Sequence, residues 1–177
     1  MASRMSKKTR LIIMVTLIIA VVAIVGIALS HSFSSPSDSL PTFPEAETVL
    51  SELEGTPVVL VFWTTWCPHC PAELSYLENV AQQKEGEIVV IAINVGQSAS
   101  TVQKFFGDYE PTMIVALDGK GGVFVNYCQN YGNSRGYIPF TLFVDSEGVI
   151  QYKRIGAFSS ETELWNTLND VFGITAP

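Results

Sequence analysis

Histidine and cysteine are scarce in this chain of 177 residues, with two of the first and three of the second. A structural zinc site needs four such ligands. Beyond Cys67-Pro68-His69-Cys70 there is no second C-x-x-C and no H-x₃-H; only His31 and Cys128 remain. Basic side chains are also few and unevenly spread. Four of the ten (Arg4, Lys7, Lys8, Arg10) lie in the first ten positions, which hold no acidic residue. The rest of the chain has six Lys and Arg against seventeen Asp and Glu, a net of −11. That balance argues against nucleic acid as a partner, since its binding needs clustered cations. An acidic surface kept for solubility accounts for it. No internal repeat is present.

One long apolar run is present. Leu11 to Leu29 is nineteen residues without a charge, and Thr16 is its polar interruption. At about 1.5 Å per residue such a helix nearly spans a hydrocarbon core of about 30 Å. The run exceeds a signal-peptide core of about 7–15 residues, so it reads as an uncleaved signal-anchor, with cleavage after Ala28-Leu29-Ser30 as the alternative. It is apolar all round, unlike a core helix of a soluble domain. The basic residues 1–10 then form a cytoplasmic tail and the remainder is exported, giving a single-pass cell-membrane protein. Residues 30–43, rich in Ser and Pro, read as a linker. Residues 44–177 are long enough for one domain with a sizeable core.

Within that domain the apolar periodicity marks successive elements. Pro44 to Glu54 is patterned as a short amphipathic helix, and Val58–Trp63 as a buried strand. A helix is expected from Cys67 to about Gln83, with an apolar stripe of Ala72, Leu74, Tyr76, Leu77 and Val80, and with Pro71 able to kink it if it begins at Cys67. Ile88–Asn94 is a second buried strand, apolar enough to imply helices on both faces of the sheet. Thr101–Phe106 suggests a helix and Thr112–Leu117 a strand. Phe140–Val144 and Val149–Ile155 flank Asp145-Ser146-Glu147-Gly148 as a hairpin. Ser160 with Glu163 forms a capping box opening a last helix to Phe172.

The two cysteines therefore sit where a strand ends and a helix begins. A helix N-terminus presents unpaired N–H groups and partial positive charge, which favour a thiolate, the reactive form of cysteine. Cys70 follows Cys67 by one turn, on the same face, the spacing that thiol–disulfide exchange requires. A structural disulfide closing so short a loop gains little, and a metal site would lack ligands.

Trp66-Cys67-Pro68-His69-Cys70, within Thr64–Leu74, resembles the active site of the thioredoxin superfamily, most of all its membrane-tethered TlpA/ResA-like thiol–disulfide oxidoreductases. The Pro-His dipeptide is similar to that of the DsbA-type oxidases. The resemblance runs from about Phe43 to Phe172. It implies an α/β thioredoxin fold, a central mixed sheet flanked by helices, with a helix–strand insertion for which Thr101–Leu117 is the candidate. The branch's usual N-terminal β-hairpin is not evident here. No organic cofactor and no metal is implied.

The resemblance assigns roles by position. Cys67 is the attacking thiol and should lie nearest the exposed helix end; Cys70 resolves the mixed disulfide, so the two form the redox-active disulfide. Pro68 and His69 tune the potential, His69 by stabilising the Cys67 thiolate, which makes the disulfide more oxidising. Tyr137-Ile138-Pro139-Phe140-Thr141 matches the element in which the proline is cis and the preceding backbone pairs with substrate, so Trp66, Ile138 and Pro139 are expected to bind substrate. Val61 departs from the pattern: it fills the place of the buried aspartate six residues before the first cysteine that moves protons in thioredoxin. Glu73 is a weak substitute, expected to be an exposed helix-start carboxylate favouring the dipole. Cys128 is expected to be a buried small hydrophobe.

The function expected is extracytoplasmic thiol–disulfide exchange with exported protein substrates, coupled to a membrane redox partner. The alternatives are a reductant in cytochrome c maturation and, from another class, a copper or zinc chaperone using Cys67, His69 and Cys70. Thr64 three residues before Cys67 also matches part of the peroxiredoxin pattern, but Leu60 replaces the proline that pattern requires.

Overall fold

The structure, a computed structural model, describes residues 55–177. The expected anchor at 11–29, linker at 30–43 and helix at Pro44–Glu54 lie outside the described residues, none of whose helices is long and apolar enough to cross a membrane. In chain order the elements are β1 (Val58–Trp63), α1 (Cys70–Gln83), β2 (Val89–Val95), α2 (Ala99–Phe106), β3 (Ile114–Asp118), α3 (Gly122–Asn130), β4 (Phe140–Val144), β5 (Ile150–Ile155) and α4 (Glu161–Phe172). The five strands form one mixed sheet in the order β3-β2-β1-β4-β5. β1 pairs parallel with β2, and β2 with β3; β4 runs antiparallel to β1 and to β5. This is the central mixed sheet with flanking helices that the thioredoxin resemblance implies.

All six residues of β1 are buried, because both faces of the sheet are covered. Val59, Val61 and Trp63 point into a core shared with α1 and α4, through Leu74, Leu77, Leu164 and Leu168. Val58, Leu60 and Phe62 point into the opposite core, against Val123, Phe124 and Cys128 of α3. The period-two alternation of a strand divides one apolar run between two layers.

Two helix starts and one cap differ from the sequence expectation. α1 begins at Cys70, not Cys67; Cys67 to His69 form a turn, so Pro71 stands in the first turn, where its missing N–H costs nothing. α2 begins at Ala99 because Ser98 caps it, accepting the N–H of Thr101. The capping box of α4 is half formed: Ser160 accepts the N–H of Glu163, but the Glu163 carboxylate turns to the N–H and hydroxyl of Ser159 and to Arg154. The helix α3 was not anticipated, since Val, Phe and Tyr in Gly122–Asn130 carry strand propensity. Its apolar residues 123, 124, 127, 128 and 131 nevertheless recur at helical spacing, and tertiary burial of that stripe decides the matter.

Glu78 fastens the segment between α2 and β3 to α1. Its carboxylate, 6% exposed, accepts the backbone N–H groups of Thr112 and Met113 at 2.8 and 3.0 Å and the Tyr109 hydroxyl at 3.0 Å. Burial pushes its pKa up, but these bonds together with Gln82 outweigh it and hold the group below its ordinary value of 4.5. Glu78→Ala strands two backbone donors and is expected to cost about 2 kcal/mol or more in urea unfolding at neutral pH. A depressed carboxyl contributes stability above its unfolded pKa and loses it as pH falls through the folded value. The difference between wild type and variant should therefore narrow as pH drops below 4.5.

Candidate active site

Cys67 and Cys70 are bonded to each other at the mouth of α1, with Cα atoms 5.4 Å apart. The turn before the helix is closed by two backbone bonds, Cys67 N–H to the Thr64 carbonyl and Cys70 N–H to the Cys67 carbonyl. His69 is the N-cap residue, and its exposed side chain makes no capping hydrogen bond. Trp66 is 71% exposed and Pro68 is exposed beside it, whereas Cys67 itself is only 3% exposed and Cys70 1%. Cys67 is thus covered although its neighbours Trp66, Pro68 and His69 are exposed. Its rim is open, but the sulfur is covered where the loop before β4 packs on it.

That loop holds the second half of the site. The Ile138–Pro139 peptide is cis, and Cys67 Sγ lies 3.8 Å from the Ile138 carbonyl oxygen. Pro139 is buried, Ile138 half-buried and Tyr137 exposed. Ile138 N–H finds no backbone acceptor among the described residues. A shallow groove of about 430 Å³ runs along the other side of the motif, lined by Pro68, His69, Ala72, Tyr76 and the loop Ala157–Ser159.

Glu73 is the largest departure from the sequence reading. It is not an exposed helix-start carboxylate but 1% exposed, among the most deeply buried side chains. Oε1 accepts the Thr141 hydroxyl at 2.5 Å and Oε2 accepts the Phe158 N–H at 3.1 Å. Burial raises its pKa above 4.5, although both hydrogen bonds and the charge of Arg154 pull the other way. In the β1–β4 ladder Thr141 is the register partner of Val61, the residue standing where an aspartate was missed. The carboxylate absent from β1 therefore arrives beside the same rung from helix α1.

Residues 33–170 match the family described as Redoxin. The chain belongs to the Redoxin family. Among its relatives, the thiol-disulfide oxidoreductase ResA of Bacillus subtilis (strain 168) is 30% identical over 159 residues, covering 82% of this chain and 85% of that protein. ResA of Oceanobacillus iheyensis is 33% identical over 123 residues, 69% of this chain and 60% of that protein. Among solved structures, a secreted Mycobacterium tuberculosis disulfide oxidoreductase homologous to E. coli DsbE is 25% identical with a TM-score of 0.57, covering 68% of this chain and 85% of that one. With its C-x-x-C pair, this Redoxin-family chain is a thiol–disulfide oxidoreductase with a thioredoxin-like fold.

One further residue of this Redoxin-family site comes from its surroundings. Gln97, just past the end of β2, was not singled out from sequence. Its Oε1 accepts the Thr65 N–H at 2.8 Å and the Asn94 side chain at 3.0 Å, and its Nε2 donates to the Thr65 hydroxyl at 2.8 Å. It thereby ties down the loop that carries Cys67. The available signal was position: in a parallel pair the loops leaving the C-terminal strand ends are neighbours. Cys128 is free and buried in α3, and burial raises its thiol pKa, with the Asn133 side chain opposing. It is a core residue, as expected. Among the described residues no group of three His, Cys, Asp or Glu side chains is placed to hold a metal ion.

Proposed function

We propose that this protein exchanges the Cys67–Cys70 disulfide with exported protein clients outside the cell membrane. In this reading residues 11–29 anchor it, residues 30–43 tether it, and the thioredoxin-like domain at 44–177 does the chemistry. The observation that carries the reading is the bonded pair at the mouth of α1, with the Ile138 carbonyl 3.8 Å from the Cys67 sulfur. A client thiolate attacks Cys67 Sγ; the Cys67–Cys70 bond breaks and Cys70 leaves as a thiolate, taking a proton from Glu73. A second client thiolate then attacks the client sulfur of the mixed disulfide and expels Cys67. Counted from its two thiols, the client gives two electrons to the protein and two protons to solvent; Cys67 leaves as a thiolate and Glu73 recovers its proton from solvent. Run backwards, with Glu73 accepting the proton, the same steps reduce a client disulfide. Client backbone pairs with Ile138 ahead of Pro139, in an extended and weakly sequence-selective mode, and the aromatic face of Trp66 supports it.

The direction we propose is disulfide donation, because Pro68-His69 is the dipeptide of the DsbA-type oxidases and His69 sits at the positive end of α1. The competing direction, a reductant such as cytochrome c maturation requires, is favoured by the exposed His69 side chain, which makes no capping bond. The reduction potential separates them. A value near about −120 mV supports donation, one near about −270 mV reduction. In the first case His69→Pro is expected to lower the potential, read by glutathione titration and alkylation of the free thiols. An unchanged potential removes the case for donation. Copper or zinc that protects both thiols from alkylation would point instead to a metal chaperone.

A further inference from the structure

The segment Gly132–Tyr137 belongs to no helix or strand, and five of its six residues are exposed. The exception is Asn133, 1% exposed, with both backbone and both side-chain groups bonded. Its Nδ2 donates to the Tyr137 carbonyl at 2.8 Å and its Oδ1 accepts the Tyr137 N–H at 2.9 Å. Its own carbonyl accepts the N–H of Gly136, whose φ of +64° turns the chain back, and its own N–H donates to the Cys128 carbonyl on α3 at 3.0 Å. A primary amide that pairs with both groups of one residue imitates a rung of an antiparallel ladder. The residue so fixed is the one before Ile138, whose carbonyl faces the Cys67 sulfur. The anchor behind it, α3, is seated in the core on the face of the sheet opposite α1.

We propose that Asn133 is a positioning residue for client binding, clamping Tyr137 to α3 so that the Ile138 backbone is held ready beside Cys67. This rests on the reading that client backbone pairs at Ile138. Without the clamp the exposed loop must be ordered at each encounter, which weakens client binding. The reaction of Cys67 with a small disulfide needs no backbone pairing and should be indifferent to it.

The test uses the full chain with Asn133→Leu, which removes both bonds, and Asn133→Asp, which keeps the shape but replaces the donor to the Tyr137 carbonyl with a repelling oxygen. With the Cys67–Cys70 pair first reduced by dithiothreitol and the excess removed, turnover of scrambled ribonuclease is compared with reduction of the small aromatic disulfide DTNB, and folding is checked by circular dichroism. Expected is a rise in KM for scrambled ribonuclease of about tenfold in both variants, with kcat and the DTNB rate within about twofold of wild type. Should Asn133→Leu fail to fold, Asn133→Asp alone carries the comparison. An unchanged KM, or ribonuclease and DTNB rates that fall in step, overturns the proposal. A wild-type chain that reduces DTNB but does not act on scrambled ribonuclease sinks the protein-client reading, and this inference with it.

Discussion

Cys70→Ser is expected to freeze the protein on its clients. With Cys67 intact and its partner gone, a client disulfide attacked by Cys67 stays bonded to it, because no second sulfur stands one turn away to release it. Mixed disulfides should accumulate as a ladder on non-reducing gels and vanish on addition of dithiothreitol. Cys67→Ser should show no ladder, and turnover should fall by at least about 10³-fold, the scale seen when a nucleophile is deleted. The asymmetry between the variants is the informative part. Both cysteines are almost fully covered, but Cys67 stands ahead of α1 against the Ile138 carbonyl, where a client backbone would pair, while Cys70 lies in the first turn of the helix. Equal trapping by both variants would contradict this division of roles.

Glu73→Gln should produce the second largest change, in a pH-dependent way. The carboxyl is buried between α1, β4 and the loop before α4, one turn past Cys70. If it carries the Cys70 proton, its amide, which cannot, should slow exchange on the order of a hundredfold and flatten the acidic limb of the pH–rate profile. The stability effect runs the other way. A carboxyl whose folded pKa is raised binds more protons folded than unfolded between the two values, so its contribution is fully present below the unfolded value of 4.5 and is lost as pH rises through the folded one. The amide suffers no such loss and can still accept the Phe158 N–H while donating to the Thr141 hydroxyl. Relative to wild type, the variant should thus gain stability as pH rises from 4.5 upward. Chemical unfolding at two pH values checks this. A variant that is slower yet no more stable at alkaline pH would mean that Glu73 is not a buried acid of raised pKa.

The contrast between Glu73 and Glu78 shows where reading a chain residue by residue runs out. Both lie on one helix, and Glu73 reads from sequence as exposed polar surface. In the structure both are buried, Glu73 under desolvation that raises its pKa, Glu78 under four hydrogen bonds that lower it. The helical stripe did hold a clue, since positions 70, 73, 74, 77, 78, 80 and 81 are the buried ones. The charge itself argued against burial, because an isolated carboxylate is costly to desolvate unless partners are supplied. Those partners, Thr141, Phe158, Thr112 and Met113, lie 34 to 85 residues away. Helix α3 was missed for a similar reason, its residues favouring strand until the sheet offers their stripe a surface.

What the sequence alone determined is local. A buried strand running into a C-x-x-C at a helix start follows from the spacing of apolar residues and from the chemistry of two sulfurs one turn apart, neither of which needs distant contacts. What only the tertiary structure decided is which distant groups meet that pair: the Ile138 carbonyl at Cys67, Glu73 beside the Val61 rung, Gln97 on the loop before the motif and Asn133 behind the loop facing it. Polar side chains carry no periodic signal of their own. Their partners, and with them their protonation and their role, are set when the sheet brings separate loops to one end.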